Sequence, residues 1–291
     1  MNQHLDKQFW ALMRRLPMRQ RRALIHLRCH RRWPNNRHPR RFSDKLNWRI
    51  LNDRRPLIAT VCDKLATKQY VAGAVACPQT HWSGRDLDSL RGVKLPDHWV
   101  LKPNHRSGFV HFGSGTPDID ELRGVTRGWL EPGLEAFMGE WGYSQADPVM
   151  LVEECLGEPG EAPDDFKFHV FDGEIAFVQH NAARRTVLEN RLYSPEWEPL
   201  EVTVDYLRMA PVTPRPPGFA EMARIARQIA KPFDFIRVDL YSVNGRIYLG
   251  ELTPYHGGGH IKYDPPTFDH EVGDHWQLPD DVSGSCRAFQ W

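Results

Sequence analysis

Apolar and polar residues alternate most regularly over residues 235–253, where FIRVDLYSV and RIYLGELT flank Asn244-Gly245. Period-two runs on both sides of Asn-Gly predict a β-hairpin. Each arm carries one acid among its apolar residues, Asp239 and Glu251. A two-residue turn would put these acids on opposite faces of the hairpin. A three-residue loop, Asn244-Gly245-Arg246, pairs 243 with 247 and so 239 with 251. The three-residue form is expected, with Arg237 and Thr253 on the acids' face and Ile236, Val238 and Leu240 turned toward a helix. Two neighbouring carboxylates repel unless a cation lies between them. Both Arg237 and Mg²⁺ suit that place, the metal completing its octahedron with phosphate oxygens and water.

Elsewhere the pattern predicts a helix in FSDKLNWRILNDR, capped by Ser43 or Asp44, and one continuous helix over 59–73 that stops at Gly73. Strands are expected in 99–115 (two, around a loop) and in 149–156, with a second hairpin over 166–180 pivoting on Asp172-Gly173. PVTPRPPG breaks the pattern ahead of a helix whose apolar stripe is Phe219, Met222, Ala223, Ala226, Ile229 and Ala230. This order of elements predicts an α+β protein, its later part a mostly antiparallel sheet with helices on one face.

The chain of 291 residues can bury a substantial core, and no apolar run approaches the ~20 residues needed to span a bilayer. No signal peptide is legible, so a cytoplasmic protein is expected. Its five cysteines are scattered without a CxxC pair, which argues against a disulfide framework or a zinc site. Net charge is +1, but residues 1–55 hold 16 Lys/Arg against 3 Asp/Glu and the remainder 22 against 34. That basic segment could attract nucleic acid or another polyanion. The alternative preferred here is a set of helical faces whose arginines pair with the acidic remainder. His26, Cys29, His30 and His38 crowd the segment, but their spacing matches no known metal-ligand set.

Candidate chemistry sits at strand ends and in glycine-flanked loops. Lys64 lies in CDKLATK, Lys102 ends WVLK ahead of PNHRSG, and Glu153 and Glu154 end VMLVEE. Together with Asp239 and Glu251 they supply cations for phosphates, an edge for a purine and acids for Mg²⁺, which is the equipment of an ATP site. A P-loop, a protein-kinase signature and GxGxxG are all missing.

The succession DKLATKQYV, LPDHWVLKPNHRSG, VMLVEECLG, DFKFHVFDGEI, FIRVDLYSVNGRIYLGELTPYHGGG and FDHEVGDHWQLP resembles the ATP-grasp superfamily. Within it, the segments resemble the TupA-like branch associated with teichuronopeptide and polysaccharide biosynthesis, over about residues 42 to 280. The resemblance implies an ATP-grasp fold with ATP held between two α+β lobes. The divisions it suggests are a basic helical region (1–55), a continuation of the N-terminal lobe (56–98), a small lobe (99–157) and a large lobe with the Mg²⁺ site and substrate loop (158–291).

It also implies roles. Lys64 and Lys102 would hold ATP phosphates under the loop Asn104 to Gly108, which includes Ser107. Glu153 would meet the adenine amino group, with Glu154 beside it and the backbone of Cys155 and Leu156 along the purine edge. Asp165 and Lys167 would contact ribose or phosphate, and Arg237 the transferring phosphoryl group. Asp239 and Glu251 would bind Mg²⁺. Thr253 stands where many relatives have asparagine, so its hydroxyl would offer one oxygen, a departure that bears on a second Mg²⁺. His256, Gly258 and His260, with Arg184 and Arg185, are the candidates for binding substrate or assisting an amine's attack.

The expected activity is ATP-dependent carboxylate–amine ligation through an acyl phosphate, joining an amino acid to a sugar, peptide or amino-acid acceptor. The rival readings are a small-molecule kinase and a non-catalytic nucleotide- or polyanion-binding protein. Asp239→Asn is expected to abolish turnover with little loss of fold.

Overall fold

The computed structural model describes residues 3–158, 160, 163–181, 189–205, 207–280 and 282. Five helices come first: α1 (Gln3–Arg15), α2 (Met18–His30), α3 (Phe42–Asn52), α4 (Pro56–Cys62) and α5 (Lys64–Tyr70). The single helix expected over 59–73 is two, divided at Asp63. The Asp63 side chain accepts from Ala66 N–H at 2.9 Å and so caps α5, whose first residue is Lys64. The α3 cap also differs from expectation. Arg41 is the N-cap, while Ser43 and Asp44 lie buried inside the first turn with other partners. Both accept from Arg32, and Ser43 donates to Asp269.

Strands β1 (Thr80–Gly84), β2 (His98–Pro103) and β3 (His111–Ser114), helices α6 (Ile119–Val125) and α7 (Leu134–Met138), and strand β4 (Met150–Glu154) follow. They build a four-stranded antiparallel sheet in the order β1-β4-β2-β3. This sheet draws on residues ahead of 99, because 80–84 pairs with 150–153.

The larger sheet has six strands. They come from β5 (Asp165–Phe171), β6 (Glu174–Asn181), β7 (Glu189–Tyr193), β9 (Arg208–Met209), β10 (Phe235–Val243) and β11 (Arg246–Thr253), in the order β11-β10-β5-β6-β7-β9. Only the β7–β9 pair is parallel. A short ribbon joins β8 (Thr203–Val204) to β12 (Tyr263–Asp264). The remaining helices are α8 (Phe219–Ala230) and α9 (Phe268–Asp274). No helix of the described residues is long and apolar enough to cross a membrane.

Helices cover both faces of this sheet, not one as expected. Phe166, Phe168, Val170, Val178, Ile236, Val238 and Leu240 pack against the predicted stripe of α8, to which Ile225 is added. On the opposite face, Phe171, Phe177 and Phe235 meet Phe42 and Leu46 of α3, Phe268 and Val272 of α9, and Trp276. That second face is apolar only at this end. Along β5 and β10 it continues as His169, Lys167 and Asp165 beside Arg237, Asp239 and Tyr241, a polar strip paired rung by rung.

Some arginines of the basic segment turn inward, toward carboxylates and backbone carbonyls, while others, Arg14, Arg15, Arg31 and Arg37 among them, are exposed. Arg49 donates to Asp234 at 2.6 Å, Arg55 reaches the other Asp234 oxygen at 2.6 Å, and Arg32 meets Asp44 and Asp269. Arg22, fully buried, donates to Asn47 at 2.9 Å and to the carbonyl of Gly258 at 2.7 Å.

Candidate active site

The hairpin reaches the expected pairing by a different route. Val243 pairs with Arg246, so the turn is the two-residue Asn244-Gly245, with φ of 50° and 77°. Both values are left-handed, as the turns favoured in tight hairpins require. The register then shifts between Asp239 and Leu240, which pairs with Leu249, leaving Gly250 as an extra residue. This bulge brings Asp239 opposite Glu251 and Arg237 opposite Thr253.

Arg237 lies between the acids. Its Nε and Nη2 donate to the two Asp239 oxygens, each at 2.7 Å, while Glu251 stands 3.9 Å from Nη2. Lys167 donates to Asp239 at 2.6 Å and also contacts Asp165. Burial alone would raise the Asp239 carboxyl pKa, but Arg237 and Lys167 together hold it below the usual range. Asp165, further from Arg237, is pushed up to about 6, chiefly by burial against the pull of Lys167. Glu251 is the open member of the pair, with 30% of its side chain exposed and Tyr143 Oη at 3.5 Å.

The four-stranded sheet, with α5, supplies the opposing side. On β4 and β2, Glu153 is 1% exposed and contacts both Lys102 and Lys68, the latter at 2.5 Å. Lys68 also donates to Thr80 at 2.6 Å and to the Pro78 carbonyl. Here burial again pushes the Glu153 carboxyl up, and the two lysines outweigh it. Lys64 donates to the carbonyls of Asn104 (3.2 Å) and Arg106 (2.6 Å), so its ammonium anchors the start of the loop. Burial lowers the Lys64 pKa to about 8, against the attraction of Glu251.

The Asn104 side chain is consumed in structure. Its amide accepts from Leu65 N–H and donates to Asp63 and to the Asp147 carbonyl. It is fully buried and offers no side-chain atom to a cofactor, contrary to expectation. Ser107 N–H and Oγ both reach Glu135, and Gly108 follows with φ 78°. Glu154 turns to the other face of β4, where it accepts from Gln79 N–H; Cys155 N–H donates to the His98 carbonyl, and Leu156 follows it.

One cleft joins the two sides, lined by Lys64, Lys68, Lys102 and Glu153 from one and by Gly250 and Glu251 from the other, with Tyr143 at the seam. Its free space is about 20 Å³, roughly room for one water.

The glycine run follows β11 of the six-stranded sheet. Gly257, Gly258 and Gly259 have φ of 53°, 61° and 75°, left-handed values open to glycine at little cost. The Gly258 carbonyl is held by Arg22, and that of Gly259 lies 3.0 Å from the His30 ring. His256 is turned inward, away from the cleft. It is 4% exposed, with Nδ1 3.0 Å from Arg237 and Nε2 3.2 Å from Tyr263 Oη. His260 packs by Arg22 and His30, and burial lowers its pKa to about 3. Thr253 is 6% exposed and its hydroxyl already accepts from Arg237 at 2.9 Å, which leaves it poorly placed to lend an oxygen to a metal. Arg184 and Arg185 lie outside the described residues.

Lys68 and Tyr143 are the site residues that sequence reasoning missed. Lys68 had a signal, since it follows Lys64 by four residues and so stands one turn along the same helix. Tyr143 lies in a 3-10 turn that packs beside α4, and nothing local marks it.

At 239 and 251 the donor set is only half open to Mg²⁺: both Asp239 oxygens already accept from Arg237 and Lys167, so a metal there would have to displace one of these contacts, whereas Glu251 is part-exposed. Two carboxylates share a rung of the hairpin, and hard oxygen donors of that number suit an ion that takes its other ligands from phosphate and water. Among the described residues no group of three or more His, Cys, Asp and Glu is arranged to hold a metal by itself.

The profile of a family described as TupA-like ATPgrasp matches residues 44–277. No curated protein matches the chain. Among solved structures it is similar to a D-alanine–D-alanine ligase from Bacillus anthracis, with 15% identity and a TM-score of 0.42 over 67% of this chain and 57% of that one. An L-amino acid ligase from Bacillus licheniformis gives 15% and 0.44 over 68% and 43%. A D-alanine–D-alanine ligase from Helicobacter pylori gives 14% and 0.46 over 81% and 69%. The chain therefore spans about half the length of the two Bacillus proteins.

Proposed function

Because the chain belongs to the TupA-like ATPgrasp family and has the ATP-grasp fold, we propose that it is an ATP-dependent carboxylate–amine ligase that releases ADP. The observation that carries this reading is the single cleft in which Lys64, Lys68, Lys102 and Glu153 confront Glu251 of the hairpin. Three lysines on one wall, with Glu153 between them, and Glu251 on the other suit a magnesium–triphosphate better than any neutral ligand.

In this reading nucleotide phosphates exchange places with Glu153 as partners of Lys68 and Lys102. Lys64 keeps the 104–108 loop closed over them through the carbonyls it already holds. Asp239 and Glu251 would hold Mg²⁺, which supplies charge neutralisation on the phosphates. Arg237, anchored on Asp239, presents a fixed guanidinium to the phosphoryl group in transfer.

A substrate carboxylate oxygen attacks the γ-phosphorus, the bond to the β–γ bridging oxygen breaks, and ADP leaves an acyl phosphate. An amine then attacks the acyl carbon, phosphate departs, and the amine gives up a proton. The two partners we propose are an amino acid and an acceptor that is itself a sugar, peptide or amino acid.

The test is incubation of the protein with Mg-ATP, pooled amino acids and hydroxylamine, with ADP and hydroxamate both measured. Hydroxamate that depends on one amino acid identifies the activated carboxylate. ADP without hydroxamate points instead to phosphorylation of a hydroxyl, and tight nucleotide binding with no ADP under any mixture points to a non-catalytic binder.

A further inference from the structure

Four of the five N–H groups of Arg237 are bonded. Asp239 takes Nε and one N–H of Nη2, Thr253 takes the other, and His256 Nδ1 lies 3.0 Å from Nη1. The fork on Asp239 fixes only the Nε–Nη2 edge of the guanidinium. Nη1 is on the opposite edge, where His256 alone among the described residues holds it.

A guanidinium has no acceptor and stays charged, so Nδ1 of His256 must be the accepting nitrogen and the ring proton must sit on Nε2. Nε2 then donates to Tyr263 Oη at 3.2 Å. The ring itself cannot swing: it stacks on Phe42 at 6.0 Å between centroids and meets His169 edge-on at 4.6 Å. We infer that His256 is a positioning residue for Arg237, holding the Nη1 arm in place, with Tyr263 selecting the imidazole tautomer that can do so.

The kinetic arm of the test rests on the ligase reading, whereas the spectroscopic arm does not. Arginine side chains are labelled with ¹⁵N, and rotation about the Cζ–Nη1 bond of Arg237 is compared in the wild type, His256→Phe, His256→Asn and Tyr263→Phe. Phenylalanine keeps a flat ring without an acceptor, and asparagine restores an acceptor near the Nδ1 position. Rotation is expected to quicken about tenfold in His256→Phe, to return to within about threefold in His256→Asn, and to rise by a smaller factor in Tyr263→Phe.

Unchanged rotation in folded His256→Phe overturns the inference. If that variant does not fold, unchanged rotation in Tyr263→Phe overturns it. In any ADP-forming assay to which the wild type responds, His256→Phe is expected to lose about tenfold in kcat with KM for ATP within about twofold. A wild type inert toward every substrate tried counts against the ligase reading, and the rotation rates still decide the role of His256.

Discussion

Asp239 faces Glu251 across the hairpin because Gly250 adds one residue to β11, and that glycine lies against the ring of Tyr241. A Cβ built on Gly250 would stand 2.8 Å from the Tyr241 ring carbons, closer than packed carbons allow. Gly250→Ala is therefore expected to push Tyr241 out of place and cost about 1–3 kcal/mol. Adding Tyr241→Leu should recover part of that loss. Chemical denaturation of the single and double variants checks this, and a fully stable Gly250→Ala would show that the bulge is not built around close approach.

The two acids of the pair are not equivalent targets. Asp239 is 2% exposed and neutralises both Arg237 and Lys167, so Asp239→Asn leaves two buried cations short of a partner. Breaking a buried ion pair from one side costs about 3–5 kcal/mol. Asp239→Asn should thus lose stability as well as turnover, contrary to the expectation from sequence. Glu251→Gln should lose turnover while its unfolding free energy from urea titration changes by less than about 1 kcal/mol, since Glu251 is part-exposed and its nearest cation is 3.9 Å away. Equal destabilisation by the two substitutions would contradict this division of labour.

Arg22 connects the basic N-terminal segment to the glycine run. Arg22→Met keeps an unbranched apolar stem but deprives Asn47 Oδ1 and the Gly258 carbonyl of their buried donor. The expected loss is about 2–4 kcal/mol, with protease sensitivity appearing near 257–260. A variant as stable as the wild type would mean that the run holds its left-handed conformation without the clamp.

What could be read from sequence was what depends on local alternation. The α8 stripe, the hairpins at Asp172-Gly173 and Asn244-Gly245, and the strand ends bearing Lys102 and Glu153 all have period-two or helical signatures over a few residues. The bulge at Gly250 does not, because the same acids pair under either a longer loop or an extra strand residue, and only packing against Tyr241 separates the two. Asp63 likewise reads as one more polar position in a helix until Asn104 and Asp147, 41 and 84 residues away, claim its second oxygen. His256 looked available for chemistry for the same reason: its partners Arg237 and Tyr263 come from other strands. Charge counting suggested that the basic segment pairs with the acidic remainder; Arg32, Arg49 and Arg55 do reach Asp269 and Asp234, but the count could not show that Arg22 would reach a backbone carbonyl of the glycine run.

Glu140 offers a prediction about pH. Its carboxyl is 9% exposed and lies near the glycine run, where a Cβ on Gly258 would come within 2.9 Å of Oε1. Burial raises its pKa from the ordinary 4.5 to about 8, with Arg22 opposing and Glu135 and Glu251 adding to the shift. The folded protein therefore keeps a proton that the unfolded chain releases between about pH 4.5 and 8. This contribution to stability is complete below the unfolded value and is lost as pH rises through the folded one. Glu140→Gln, which cannot ionise, should lack the decline: between pH 5 and pH 8 the wild-type Tm is expected to fall relative to the variant by about 5 °C. Melting curves that stay parallel across that range would mean that Glu140 is ionised in the folded protein and overturn the prediction.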